Sequence, residues 1–174
     1  MIIRLTQKLN AKIKGGPLPV LPLDPNPMGD WSARVFLAGG FQYILLSHTR
    51  TFYATLFLGK GVTSQRRFIE HSREALREFM AWDRLGAVHD RFIAPAIADV
   101  QFAAALNRSV SATMTRQVLE GEDYLAAGGS VDEVGARLND SLFSAIDDGG
   151  PGGYGKPRAA FLELIATLRA DGKS

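Results

Sequence analysis

The hydrophobic period of this chain changes from two residues to helical spacing at Gly59-Lys60-Gly61, and that change limits the fold more than any other feature of the sequence. Before it, Trp31, Ala33, Val35 and Leu37 alternate with Ser32, Arg34, Phe36 and Ala38, and FQYILLSH and TFYATLFL continue in the same two-residue period. Gly39-Gly40 supplies a two-residue turn that tolerates positive φ, so residues 31 to 58 read as a three-stranded antiparallel meander. After it, Phe68, Ile69, Ser72, Ala75, Leu76, Phe79 and Met80 recur at helical spacing, with Arg66 and Glu70, then Glu74 and Arg77, placed to pair on the solvated face. Strands that come early and helices that come late predict an α+β fold. An antiparallel sheet covered by helices fits this order better than a doubly wound parallel one.

The flanks add elements. MIIRL is short and β-branched, and Thr6 is placed to cap a basic helix that Gly15-Gly16 ends. Five of the eight prolines fall between Pro17 and Pro27, which forbids helix and central strand and predicts an extended surface path with its apolar side buried. Residues 84 to 93 read as a short helix, 100 to 103 as a further strand, and 109 to 125 as a second long helix. Ser130 and Glu133 form a capping box, and Pro157 opens the last helix. At 174 residues the chain is expected to form one globular domain over 1–174, with a proline-rich segment at 17–27 and a glycine-rich loop at 149–155.

Two-residue alternation puts Val35, Leu37, Ile44 and Leu46 on one sheet face, where the helix from Phe68 to Met80 is expected to bury them. Arg34, Phe36, Tyr43 and Leu45 fall on the other. If late helices cover that second face, its rings are core. If it is open, Phe36 and Tyr43 beside Arg34 would suit stacking on single-stranded nucleic acid. Residues 1 to 67 carry nine Lys and Arg against two Asp, and residues 68 to 174 carry eleven against sixteen Asp and Glu, so the halves differ in sign. Either the acidic half neutralises the basic one, or the cations share a face for an anionic partner.

Few patterns carry chemistry. Cysteine is absent, which excludes disulfides and thiolate sites and, with no secretion-signal pattern at MIIRLTQKLN, leads to the expectation of a cytoplasmic protein without a membrane anchor. His48, His71 and His89 have no metal-ligand spacing, so no metal site and no cofactor is expected. Gly150 to Lys156 satisfies the GxxxxGK part of a phosphate loop, but Pro157 stands where a magnesium-binding hydroxyl is needed and no buried strand precedes it. Asn107 or Ser109 can cap the helix that follows. Arg108 then lies near a positive helix end, which predicts an acidic partner such as Asp99 or an anion beside it. Asn107, Arg108, Ser109 and His48 are therefore the candidate residues for an anion-binding or enzymatic site. Arg34, Phe36 and Tyr43 are those for a binding surface.

MIIRLTQKLN, LPLDPNP before the Trp31 strand, the ILL core of the meander, RFIAP at residues 91 to 95 and VQFAAALNRSVSATM together resemble an uncharacterised bacterial domain of unknown function. That domain is found alone and fused to proteins similar to the open-reading-frame-3 family of plasmid Ri. The resemblance spans about residues 1 to 120 and, more weakly, the last helix. It implies a pattern in which Ser32 would be His, and Thr113, Thr115 and Arg116 would be Ser, Asn and Asp, so this chain departs from it at both places. The resemblance implies no activity. The residues and the resemblance together point to a binding or regulatory module with a protein or nucleic-acid partner, and the alternative is a small enzyme or anion-binding protein.

Overall fold

The computed structural model describes residues 1–146 and 153–172. The meander consists of β2 (Asp30–Ala38), β3 (Phe41–His48) and β4 (Ala54–Leu58), preceded by β1 (Ile2–Leu5) and α1 (Gln7–Lys12). Then follow α2 (Gln65–Trp82), the short α3 (Gly86–Val88), a π-helical turn (His89–Ile93), α4 (Ala94–Ala96), β5 (Gln101–Ala104), α5 (Arg108–Ala126), α6 (Val131–Asp140) and α7 (Pro157–Asp171). The fold is α+β, with one five-stranded sheet in the order β4-β3-β2-β1-β5.

Gly39 and Gly40 adopt φ of 54° and 82°, and the two-residue turn sets the register that alternation requires: Val35 opposite Ile44, Phe36 opposite Tyr43 and Trp31 opposite His48. The sheet is mixed rather than wholly antiparallel, because β1 runs parallel to both β2 and β5. Long connections allow this. The chain passes from β1 through α1 and the whole proline-rich segment before β2, room enough for a crossover.

Both sheet faces are covered. On one, Ile3, Leu5, Trp31, Val35, Ile44 and Leu46 pack with α2 and α7 through Phe68, Leu76, Phe79 and Phe161. On the other, Phe36, Leu45 and Leu56 pack with α5 and α6 through Val110, Met114, Val134 and Leu138. Leu37 corrects the expectation that its whole face is core, for it is 55% exposed. It lies next to the hairpin tip, beyond the reach of the helix that covers Val35. The proline-rich segment forms neither helix nor strand, as expected, and Leu18 packs against the core, but its apolar side is not wholly buried, for Val20 is 87% exposed. Arg66 pairs with Glu70 and Arg77 with Glu74 on the exposed face of α2.

The link from β3 to β4 has no favourable turn sequence, and Phe52 sits there at φ 60°. Side chains from other elements hold it. Gln117 of α5 donates to the Phe52 carbonyl at 2.7 Å, and Asn139 of α6 both accepts from the Ala54 amide at 2.7 Å and donates to its carbonyl at 2.9 Å. The carboxamide thereby occupies the outer edge of β4 at its first residue, as a neighbouring strand would.

Candidate functional site

The end of the sheet that holds the chain's start is saturated with polar contacts. Arg4 interrupts the apolar strand β1, yet it is 2% exposed and grips the fully buried Asp30 at its two oxygens, Nε to Oδ1 and Nη2 to Oδ2, both at 2.8 Å. Its remaining N–H groups donate to the carbonyls of Leu21, Pro22 and Ala104, so the proline-rich segment is tied to the sheet by a guanidinium. Burial would raise the Asp30 carboxyl. The hydrogen bonds from Arg4, the Asp24 amide and Thr49 outweigh it and hold the group below the usual carboxylate range.

His48 is also fully buried on that end. Its ring meets Trp31 and Phe161 edge to face, at centroid distances of 5.2 and 5.4 Å. Burial pushes the imidazole down to about 4, against the raising effect of its bond to the Pro27 carbonyl. It is neutral at pH 7, so Nε2 donates to that carbonyl and Nδ1 accepts from the Thr51 hydroxyl, each at 2.9 Å. Nearby, Tyr53 stacks on Phe161 at 4.3 Å and donates to Asp83 Oδ2 at 2.6 Å. Asp83 in turn pairs with Arg158, which also bonds Asp140 at 3.0 Å. Burial and the Asp83 bond raise the Tyr53 hydroxyl, which stays protonated. Every one of these groups is satisfied by protein.

The residues singled out for an enzymatic site do not converge. Asn107 caps α5, accepting from the Val110 amide at 2.9 Å, and Ser109 accepts from the Thr113 hydroxyl through its carbonyl. Both lie on the α5 side of the sheet, whereas His48 lies in the core of the opposite face. Arg108 is exposed, and among the described residues no acidic side chain pairs with it, contrary to the expected ion pair with a residue such as Asp99. The motif is a helix cap. Gly149 to Gly152 of the glycine-rich loop lie outside the described residues, and Lys156 precedes α7 without a capping side-chain bond. Among the described residues no three His, Asp or Glu side chains are grouped to hold a metal ion, and no helix is long and apolar enough to cross a membrane.

Arg34, Phe36 and Tyr43 do come together. Phe36 and Tyr43 stack at 5.8 Å, but Phe36 is 4% exposed beneath α5, so the second face is covered and offers no open ring platform. Arg34 is half-buried and donates to the Thr115 hydroxyl of α5 at 2.6 Å. Beside it runs a groove of about 460 Å³ between α1 and α5, lined by Thr6, Lys8, Arg34, Leu37, Val118 and Glu122 among others. A narrow cleft of about 30 Å³ continues from it past Ser32 and Ser111 to Arg4.

What opens this groove is a mismatch of strand lengths. β1 has four residues and β2 nine, and the pairing stops at Leu5 opposite Ala33, with a last bond from the Thr6 amide to the Ala33 carbonyl. The His48 amide donates to Tyr53, toward β4, so the odd-numbered residues of β3 face β2 and bond its even-numbered residues. The amides and carbonyls of Val35 and Leu37 therefore point the other way, to the side where β1 has ended. Among the described residues no group bonds them there. Around the corner, Leu37, Phe41 and Leu58 are 55%, 62% and 49% exposed, and a second groove of about 450 Å³ lies between Phe41, Leu58 and Lys60. Sequence reasoning placed Leu37 in the core and did not single out Phe41 or Leu58.

No curated protein matches this chain. Residues 2–160 match the profile of a domain of unknown function, so the groove, the capped α5 and the Arg4–Asp30 clasp all lie within the matched region and the chain belongs to the DUF6933 family.

Proposed function

We propose that this domain is a protein-binding module whose contact surface is the hairpin end of the sheet, where Leu37, Phe41 and Leu58 border two grooves. The observation that carries the reading is the concentration of three large exposed apolar side chains at one end of the sheet, beside two grooves. A catalytic reading has less support, because Asn107 and Arg108 are separated from His48 by the sheet. A nucleic-acid reading has less as well. Of the nine early cations Arg4 is buried against Asp30, Arg66 is paired with Glu70, and Phe36 has no free face. A bacterial, cytoplasmic setting belongs to the same reading, as does occurrence fused to proteins similar to the plasmid Ri open-reading-frame-3 family, since a module that carries its own docking surface can serve other chains.

The test is photo-crosslinking in cells, with a benzophenone side chain introduced at Phe41 and, as control, at the exposed Leu162 of α7. An adduct of discrete mass at Phe41 alone is expected. Absence of any adduct, or the same adducts from both positions, overturns the reading.

A further inference from the structure

Building on that reading, we infer that the groove between α1 and α5 receives an extended, acidic segment of the partner protein, which adds to the sheet as a strand along the uncovered half of β2. Four observations carry it. First, the open stretch from Arg34 to Ala38 is five residues, about 17 Å at strand rise, the length of an ordinary strand. Second, the amides and carbonyls of Val35 and Leu37 face the groove at the two-residue interval that a strand partner pairs with, and a strand edge without a neighbour is a template for one. Third, the position is the prolongation of β1, with α1 flooring it on one sheet face and α5 on the other, so an incoming strand meets walls as well as an edge.

The fourth observation is charge. Lys8 and Arg34 line the groove against the single acid Glu122, and α1 continues with Lys12 and then Lys14 without an acidic residue. Lys12 donates to Gln42 and Arg34 to Thr115, both neutral groups, so neither cation is neutralised by an acid among the described residues. An extended segment that alternates acidic and β-branched residues would set its carboxylates on one face, toward Lys8 of α1, and its apolar side chains on the other, toward Val118 of α5, while its backbone completes the ladder.

The experiment uses the full chain, isotope-labelled for NMR, and three capped hexapeptides: Glu-Val-Glu-Val-Glu-Val, the same peptide N-methylated on alternate residues to remove the donors of one edge, and Lys-Val-Lys-Val-Lys-Val. In the free protein the Val35 and Leu37 amides are expected to exchange with solvent at least tenfold faster than those of Leu45 and Ser47, which bond β2. The acidic peptide should slow exchange at both at least tenfold and shift Lys8 and Arg34 signals, and the N-methylated and basic peptides should do neither. Leu37→Pro removes an amide that takes no part in the β2–β3 ladder, so the variant should fold and bind the acidic peptide at least tenfold more weakly. Lys8→Glu should weaken acidic-peptide binding without altering the fold.

Binding in the groove that N-methylation leaves intact overturns strand addition while the protein-binding reading stands. Slow exchange of Val35 and Leu37 in the free protein means the edge is already closed and overturns the inference by itself. No groove shifts at millimolar acidic peptide also overturn it, and the crosslink at Phe41 then decides the broader reading separately. Equal shifts from a thymidine oligonucleotide that competes with the peptide would reassign the groove to nucleic acid.

Discussion

The two halves of β2 solve opposite problems. From Asp30 to Ala33 the strand lies between β1 and β3, and its polar groups are all engaged: the Asp30 carboxylate by Arg4, the Trp31 indole by the Met28 carbonyl at 3.0 Å, and Ser32 by Thr49 at 2.9 Å. From Arg34 to Ala38 it has β3 alone, with outward-facing amides open and Leu37 in solvent. A buried ion pair in the first half and a buried histidine opposite it on β3 look like chemistry, yet the Asp30 and His48 side chains are bonded by protein groups. In the second half the side chains are ordinary, and what is left over is backbone and apolar surface. Titratable residues therefore mark the closed end of this sheet, and strand length marks the open end, where the contact surface is proposed.

The comparison breaks most easily at Arg4. Arg4→Met leaves a carboxylate buried without its partner and frees the carbonyls of Leu21 and Pro22, so a loss of about 3–5 kcal/mol is expected in urea denaturation. Arg4→Met with Asp30→Leu should recover much of that, because the penalty comes from the stranded charge. A single-variant loss below about 1 kcal/mol would show that the clasp does not hold this end together.

His48 gives the next largest effect, and it has a pH signature. The unfolded chain takes up a proton at His48 below about pH 6.5, whereas the folded chain resists until about 4. Stability is therefore complete above pH 6.5 and falls as pH drops through this window, by about 3 kcal/mol. Asp30, whose carboxyl is held low, loses its contribution only at more acid pH. In His48→Gln the slope between pH 6.5 and 4 should flatten, whatever the variant's absolute stability. An unchanged slope would assign the acid sensitivity elsewhere.

Much of the architecture was legible because local signals agreed with it. Gly39-Gly40 fixed the register, and Thr6, Asn107, Ser130 and Pro157 marked helix starts that the structure keeps. The β3–β4 turn was not legible, since Gln117 and Asn139 hold it from 65 and 85 residues away. Arg4–Asp30 was missed for the same reason, although a cation inside IIRL was a signal that some acid had to be buried with it. The groove had a signal too. A strand of four residues beside one of nine leaves the longer one uncovered, but that comparison requires knowing that β1 and β2 are neighbours, and parallel pairing across 24 intervening residues leaves no local trace.

Asn107 and Arg108 sharpen the contrast between a residue that works and one that only looks placed to. Asn107→Ala removes the α5 cap and should cost about 1 kcal/mol in thermal or chemical denaturation. Arg108→Ala should change stability by less than about 0.5 kcal/mol, because the side chain is exposed and makes no ion pair among the described residues. A larger loss at Arg108 would show that it has a protein partner in solution.

The smallest effect is expected at Leu37, and its smallness is the informative part. Val35 and Leu37 are two residues apart, point to the same sheet face and were expected to be buried alike, yet they are 4% and 55% exposed. Threonine keeps the β-branched shape that a strand favours while removing apolar contact and adding a hydroxyl. At Val35 that hydroxyl is buried without a partner among apolar side chains, and a cost of about 1–3 kcal/mol follows. At Leu37 water solvates it, so Leu37→Thr should change stability by no more than about 0.5 kcal/mol in urea denaturation. The same variant should lose the crosslink at Phe41 if the two side chains share a contact surface. Equal destabilisation at the two positions would mean that the core extends to the hairpin tip, and the second half of β2 would then be as structural as the first.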